Sequence, residues 1–263
     1  MLQVSCPIKP IRTELFINKG VAKLGTGIFI TGTGTGVGKT VVTAGLLAAL
    51  RKAGINASAF KPVQSGALPS RRGLISQDAA FYIKVSGIYG RISDYNLYCF
   101  REPLSPHLAS EMSGETIDRE AILARCRELL VNHRVLLVEG AGGICVPLTR
   151  SCYTVADLAG DLGYPLLVVA SPTLGTINHT VLTIKYAQTA GLKVAGFIFN
   201  GLQETAGVPE RDNAGIIESM TGVPLLGTLP LIPGLDVDAG LSGKLAQAAE
   251  QYLPWREIGG MAY

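Results

Sequence analysis

Short, almost wholly apolar runs alternate along this chain with longer stretches whose apolar positions recur every three to four residues. The first pattern predicts strands at Ile28–Thr31, Ala57–Lys61, Val135–Val138, Leu166–Ala170, Val194–Asn200 and Leu225–Leu229. The second predicts helices at Lys39–Ala53, Asp78–Val85, Arg119–Val131, Ile177–Ala190, Asp212–Met220 and Ala239–Tyr252. Continuous apolar strands are expected where both faces of a sheet are covered. Gly54, Gly191 and Gly222 stand where the helices should stop. Strand–helix alternation of this kind predicts an α/β fold with a doubly wound, mostly parallel sheet flanked by helices, and ligands at the carboxyl ends of the strands. The one break in the alternation is Gln64–Ser76, rich in Gly, Pro and Ser, which reads as a substrate-contacting loop.

The strand ends carry the chemistry. After Ile28–Thr31 the chain runs Gly32-Thr33-Gly34-Thr35-Gly36-Val37-Gly38-Lys39-Thr40-Val41 into a helix. This is a phosphate-binding loop, which makes the fold a P-loop nucleotide-binding fold. Backbone N–H groups can wrap a triphosphate, Lys39 can reach its terminal phosphates, and the Thr40 hydroxyl can hold Mg²⁺. The helix that follows brings its positive dipole end to the anion. Thr33 occupies the place of the first glycine in the strict pattern, and Gly32 precedes it.

Lys61 ends the second strand, as a surface cap or as an anion ligand. Asp78 opens a helix, as an acid favoured by the helix dipole or as a Mg²⁺ ligand. Glu139 ends a buried apolar strand, either as a satisfied structural carboxylate or, since an unpaired one there is costly, as a group that a metal or ligand compensates. Gly140, Ala141 and Gly142 follow it and let the backbone come close to a phosphate. Gly175 and Thr176 open a helix whose free N–H groups could hold a carboxylate; Asn178 and His179 there read equally as caps. Asn200, before Gly201, is a reader of an adenine edge or a turn residue. His107 as a base has no partner in the sequence.

Composition narrows the class. The chain has 263 residues, 48% hydrophobic and 16% charged, with a net charge of +3. That balance and the absence of a basic cluster argue against nucleic acid. Five cysteines without Cys-x-x-Cys spacing argue against a disulfide framework, and three scattered histidines against zinc. No apolar run is long enough for a membrane span. Residues 1–24 hold Lys9, Arg12, Lys19 and Lys23 against Glu14, without the apolar core of a signal peptide. They read as an N-terminal extension packed on the domain or a mis-assigned start, with organelle targeting as the alternative. A cytoplasmic location is the expectation.

Taken together, the motifs resemble the dethiobiotin synthetases, ATP-dependent ring-closing enzymes of biotin synthesis. The matches are Gly-Val-Gly-Lys-Thr at 36–40, Lys-Pro-Val-x-Ser-Gly at 61–66 and Glu-Pro-x-Ser-Pro-His at 102–107. Val-Glu-Gly-Ala-Gly-Gly at 138–143, Gly-Thr-Ile-Asn-His at 175–179 and Ala-Gly-Phe-Ile-x-Asn at 195–200 continue them in order. The resemblance implies a single P-loop ATP-binding ligase domain over 25–263, acting as a homodimer with a shared site. It implies that 7,8-diaminononanoate, CO₂ and ATP give dethiobiotin, ADP and phosphate through a carbamate and a carbamic-phosphoric anhydride. Lys39 and Lys61 would then be catalytic, and Thr40, Asp78 and Glu139 would hold Mg²⁺. Gly36 through Val41, Gly140 to Gly142, Asn200, Gly201 and Pro230-Leu231-Ile232 would contact the nucleotide. Ser65, Gly175, Thr176 and Asn178 would contact the substrate, the last three across the dimer. One departure is Thr33-Gly34-Thr35, where the family often carries Thr-Asp-Thr. Two alternatives remain at this stage: the ATP domain of a cobalamin-type amidating ligase, and a nucleotide-switch ATPase of the partition type. The latter usually has a second lysine early in its loop, and positions 32 to 37 contain none.

Overall fold

The computed structural model describes residues 25–71, 73–203 and 207–260; the extension expected at 1–24 lies outside them. In chain order the elements are β1 (Thr26–Gly32), α1 (Lys39–Lys52), β2 (Ala57–Gln64), β3 (Leu68–Ser70), β4 (Gly73–Ile75), α2 (Gln77–Ser86) and β5 (Asn96–Cys99). They continue with α3 (Pro106–Ser113), α4 (Arg119–Asn132), β6 (Val135–Glu139), α5 (Val155–Leu162), β7 (Leu166–Ala170), α6 (Thr176–Thr189) and β8 (Val194–Leu202). The last are α7 (Val208–Thr221), β9 (Leu225–Pro230), α8 (Leu245–Tyr252) and α9 (Trp255–Gly260).

Seven strands form one sheet in the order β5-β2-β6-β1-β7-β8-β9, every neighbouring pair parallel. The period of two along each strand divides the core into two layers. Phe29, Leu136 and Val138 face a layer built with α4, α5, α6 and α7; Ile28, Ile30, Val135 and Leu137 face one built with α1, α2, α8 and α9. α1 is buried along almost its whole length, from Val41 to Leu50, because small residues such as Ala44, Gly45 and Ala48 let the sheet and its neighbouring helices come close. The helix that receives the phosphate loop is thus anchored in the core.

All six expected strands are present. The expected helix over Ala239–Tyr252 is corrected: Gly240 and Gly243 take positive φ, Asp236 bridges to Leu241, and only Leu245–Tyr252 is helical. The loop at Gln64–Ser76 folds in part into the β3–β4 hairpin. β5, α5 and α9 are elements that the periodicity does not single out.

Candidate active site

The strand order places the carboxyl ends of β2, β6 and β1 side by side, and the phosphate loop leaves from the third of them. Gly36 and Gly38 take left-handed φ of 78° and 92°, which turns the loop back over the start of α1. Gly38 is needed twice over, since a Cβ there would run into the Asn200 side-chain amide. That amide, at the end of β8, donates to the Val37 carbonyl at 3.1 Å and ties the loop to the neighbouring part of the sheet. Lys39 is buried and donates from Nζ to the Gly34 carbonyl at 2.8 Å, curling into its own loop. Burial, and then the charge of Lys61, lower its pKa to about 8 against the opposing pull of Glu139 and Asp78.

Across from the loop lies a buried charged cluster. The Lys61 ammonium, in the second half of β2, which runs on past the expected end to Gln64, sits 2.6 Å from Glu139 Oε1 and 2.7 Å from Asp78 Oδ2, and donates to the Gly140 carbonyl at 3.2 Å. Burial alone would lower its pKa; the two carboxylates outweigh this and hold it well above an ordinary lysine. Both carboxylates touch one nitrogen, so they belong to one site. The Thr40 hydroxyl reaches Glu139 Oε1 at 3.0 Å, linking the first turn of α1 to the end of β6. The other Glu139 oxygen accepts from the Tyr82 hydroxyl at 2.5 Å. Burial, then the Glu139 and Asp78 charges, push the Tyr82 phenol well above its ordinary pKa, so it stays a donor.

These groups open on a cavity of about 680 Å³. Its walls include Gly36, Gly38, Lys39, Thr40, Val41, Lys61, Ser65, Asp78, Glu139, Ala141, Gly142 and Asn200. Val37 and Gly140 adjoin it through the Asn200 and Lys61 bonds just described. Gly201, Pro230, Leu231 and Ile232 lie around the β8–β9 end, where Leu231 N–H donates to the Leu202 carbonyl; Leu231 is exposed and Ile232 buried. Gly175, Thr176 and Asn178 do not line this cavity. Gly175 is left-handed at the start of α6, Thr176 is buried with its hydroxyl on Thr180, and Asn178 faces outward. His107 pairs its ring with Ser105 at the start of α3 and is not among the cavity walls.

Sequence reasoning passes over Tyr82, although its place one helical turn after Asp78 puts both on one face of α2. It also passes over Val237 and Asp238, which line the cavity from the segment just before the expected Ala239–Tyr252 helix. Among the described residues, no helix is long and apolar enough to cross a membrane, and no group of three or more His, Cys, Asp or Glu side chains is placed to hold a metal.

A sequence-family model described as an AAA domain matches residues 26–239. The ATP-dependent dethiobiotin synthetase BioD of Anoxybacillus flavithermus is 45% identical over 204 residues, covering 78% of this chain and 91% of the relative. The protein of the same name from Halalkalibacterium halodurans is 42% identical over 207 residues, covering 79% and 85%. Among solved structures, the MinC:MinD cell division complex of Aquifex aeolicus aligns with a TM-score of 0.56 at 17% identity, covering 90% of this chain and 96% of that one. A ParA family ATPase from Chlorobium tepidum aligns at 0.52 and 15%, covering 92% and 98%. The structural likenesses speak to the P-loop fold, and the sequence relatives, at 42–45% identity over about four fifths of this chain, speak to the family. This chain belongs to the ATP-dependent dethiobiotin synthetases.

Proposed function

We propose that the chain makes dethiobiotin from 7,8-diaminononanoate, CO₂ and ATP, releasing ADP and phosphate. One amine of the diamine adds to CO₂ and loses a proton, giving a carbamate. A carbamate oxygen attacks the γ-phosphorus of ATP, and ADP leaves. The second amine attacks the carbonyl of the resulting anhydride, expels phosphate and closes the ureido ring. The observation that carries this reading is the meeting of Lys39, Lys61, Asp78 and Glu139 in one cavity at the mouth of a phosphate loop.

Gly36, Val37, Gly38 and the first turn of α1 through Thr40 and Val41 supply N–H groups to the β- and γ-phosphates. Lys39 and Lys61 lie on opposite sides of the transferring group and offset charge that grows on its oxygens. Ser65, on the Lys61 side, meets the carbamate or the diamine. The backbone at Gly140, Ala141 and Gly142 lines the same wall. Asn200, with Gly201 and Pro230-Leu231-Ile232, takes the base. The donor set fits Mg²⁺: a hydroxyl and two carboxylates are hard oxygen ligands, and this ion is usually held by one or two carboxylates with phosphate and water completing the shell. Thr40, Asp78 and Glu139 would hold it, and it would supply positive charge to offset that of the phosphates.

The remaining parts of the reading rest on the same family. Residues 25–263 act as one ATP-binding ligase domain, with 1–24 an extension, in the cytoplasm and without nucleic acid or membrane partners. The protein works as a homodimer in which Gly175, Thr176 and Asn178 of one subunit hold the substrate carboxylate for its neighbour.

The test is an assay with ATP, Mg²⁺, bicarbonate and the diamine, reading phosphate and dethiobiotin together. Phosphate release is expected only when diamine and bicarbonate are both present. Fast release in ATP and Mg²⁺ alone, indifferent to diamine, would favour a nucleotide switch instead.

A further inference from the structure

We infer that Tyr82 is a positioning residue for Glu139, selecting which carboxylate oxygen faces the phosphate loop. The inference rests on the reading of Glu139 as a metal ligand. The two oxygens of Glu139 have different partners. Oε1 takes Thr40 and Lys61 at 3.0 and 2.6 Å, while Oε2 takes the Tyr82 hydroxyl at 2.5 Å. A carboxylate free to rotate could offer either oxygen to a cation. With Oε2 held by a fully buried phenol, Oε1 is the oxygen left toward Thr40 and the loop.

The device is built into α2. Ser76 caps this helix by accepting from the Ala79 N–H, which fixes its entry beside β2. Asp78 lies in its first turn and Tyr82 four residues on, so both project from one face. Asp78 reaches Lys61 while Tyr82 reaches Glu139. One rigid helix therefore presents one carboxylate and orients the other, although Glu139 comes from β6, far along the chain. Groups that hold a ligating carboxylate from behind commonly change metal affinity by about 10–100-fold when removed. A tyrosine there for packing alone would lack this effect, since phenylalanine fills nearly the same space.

The experiment titrates Mn²⁺, followed by its electron paramagnetic resonance, into the intact protein saturated with ADP. Wild type, Tyr82→Phe, Glu139→Gln and the double variant are compared, each with its thermal midpoint. Tyr82→Phe is expected to weaken Mn²⁺ about ten-fold, to raise the Mg²⁺ needed for half-maximal turnover similarly, and to leave the KM for diamine unchanged. In the Glu139→Gln background the same exchange should do nothing further. Wild-type Mn²⁺ affinity in Tyr82→Phe, or an equal loss in both backgrounds, overturns the inference, whatever happens to stability. If Glu139→Gln weakens Mn²⁺ and Tyr82→Phe does not, the metal reading stands and only the role of Tyr82 falls. If Glu139→Gln binds Mn²⁺ like wild type, Glu139 is no ligand and both fall. Should the phenylalanine variant not fold, Tyr82→Met also removes the hydroxyl and is read the same way.

Discussion

At the scale of single residues, the two buried lysines differ in a way that pH exposes. Burial lowers the pKa of Lys39 to about 8, and the charged form is the one that pairs with phosphate. Nucleotide binding should therefore weaken as pH rises through about 8, with proton uptake on binding above that point. Calorimetry in buffers of different ionisation enthalpy measures both, and Lys39→Ala should flatten the profile. The same variant should lose turnover while staying folded, since a donor to the transferring phosphate is worth on the order of a few kcal/mol of barrier. A profile unchanged by Lys39→Ala would detach this lysine from the phosphate. The sign for stability is opposite. Between about 8 and 10.5 the unfolded chain holds the proton that the folded chain has lost, so the empty protein gains stability as pH rises there.

At the scale of elements, the phosphate loop and β8 are one mechanical unit joined by the Asn200–Val37 bond. Gly38→Ala forces a side chain into left-handed backbone and into the Asn200 amide. It should cost about 1–3 kcal/mol and abolish the rise in melting temperature that ATP gives. Adding Asn200→Ala should restore part of the stability, because it removes the obstacle but not the strained φ; no recovery would mean the two groups do not meet. The loop, the strands and their helices were legible because buried parallel strands read as apolar runs and because Gly-Lys-Thr has few other uses. β5 escaped because it is a four-residue edge strand beginning at Asn96 with Leu97 exposed. α5 escaped periodicity although Thr154 and Asp157 form a reciprocal capping box at its start. The overlong Ala239–Tyr252 helix failed on Gly240 and Gly243, whose backbone helical periodicity cannot register. In the site, Lys39, Lys61, Asp78 and Glu139 stood out as polar residues at apolar strand ends or helix starts. Tyr82 did not, since its polar tip is hidden behind an aromatic body that suits a core.

At the scale of the whole molecule, the start of α6 stands apart from the cavity, with Leu174 and Leu182 exposed beside it. Under the shared-site reading it serves the neighbouring subunit, so Lys39→Ala and Asn178→Ala should complement when mixed. Recovery of at most about a quarter of wild-type activity is expected, because about half the dimers are mixed and each has one intact site. No recovery between chains that demonstrably exchange would return Asn178 to a helix cap. A protein that brings CO₂ to an amine must also keep its own amines out of that reaction, and the charged cluster does this for one of the two lysines. Only an uncharged amine, with its lone pair free, attacks the carbon of CO₂ or of cyanate. Lys61, clamped between Asp78 and Glu139, remains an ammonium and is chemically silent. Lys39, with its lowered pKa, is the lysine that becomes an uncharged amine first. Cyanate treatment of the empty protein near neutral pH should therefore mark Lys39 and spare Lys61 in peptide mass maps. Bound ATP should protect Lys39, so that the co-substrate guards the enzyme against carbamylation as well as fuelling the ring closure.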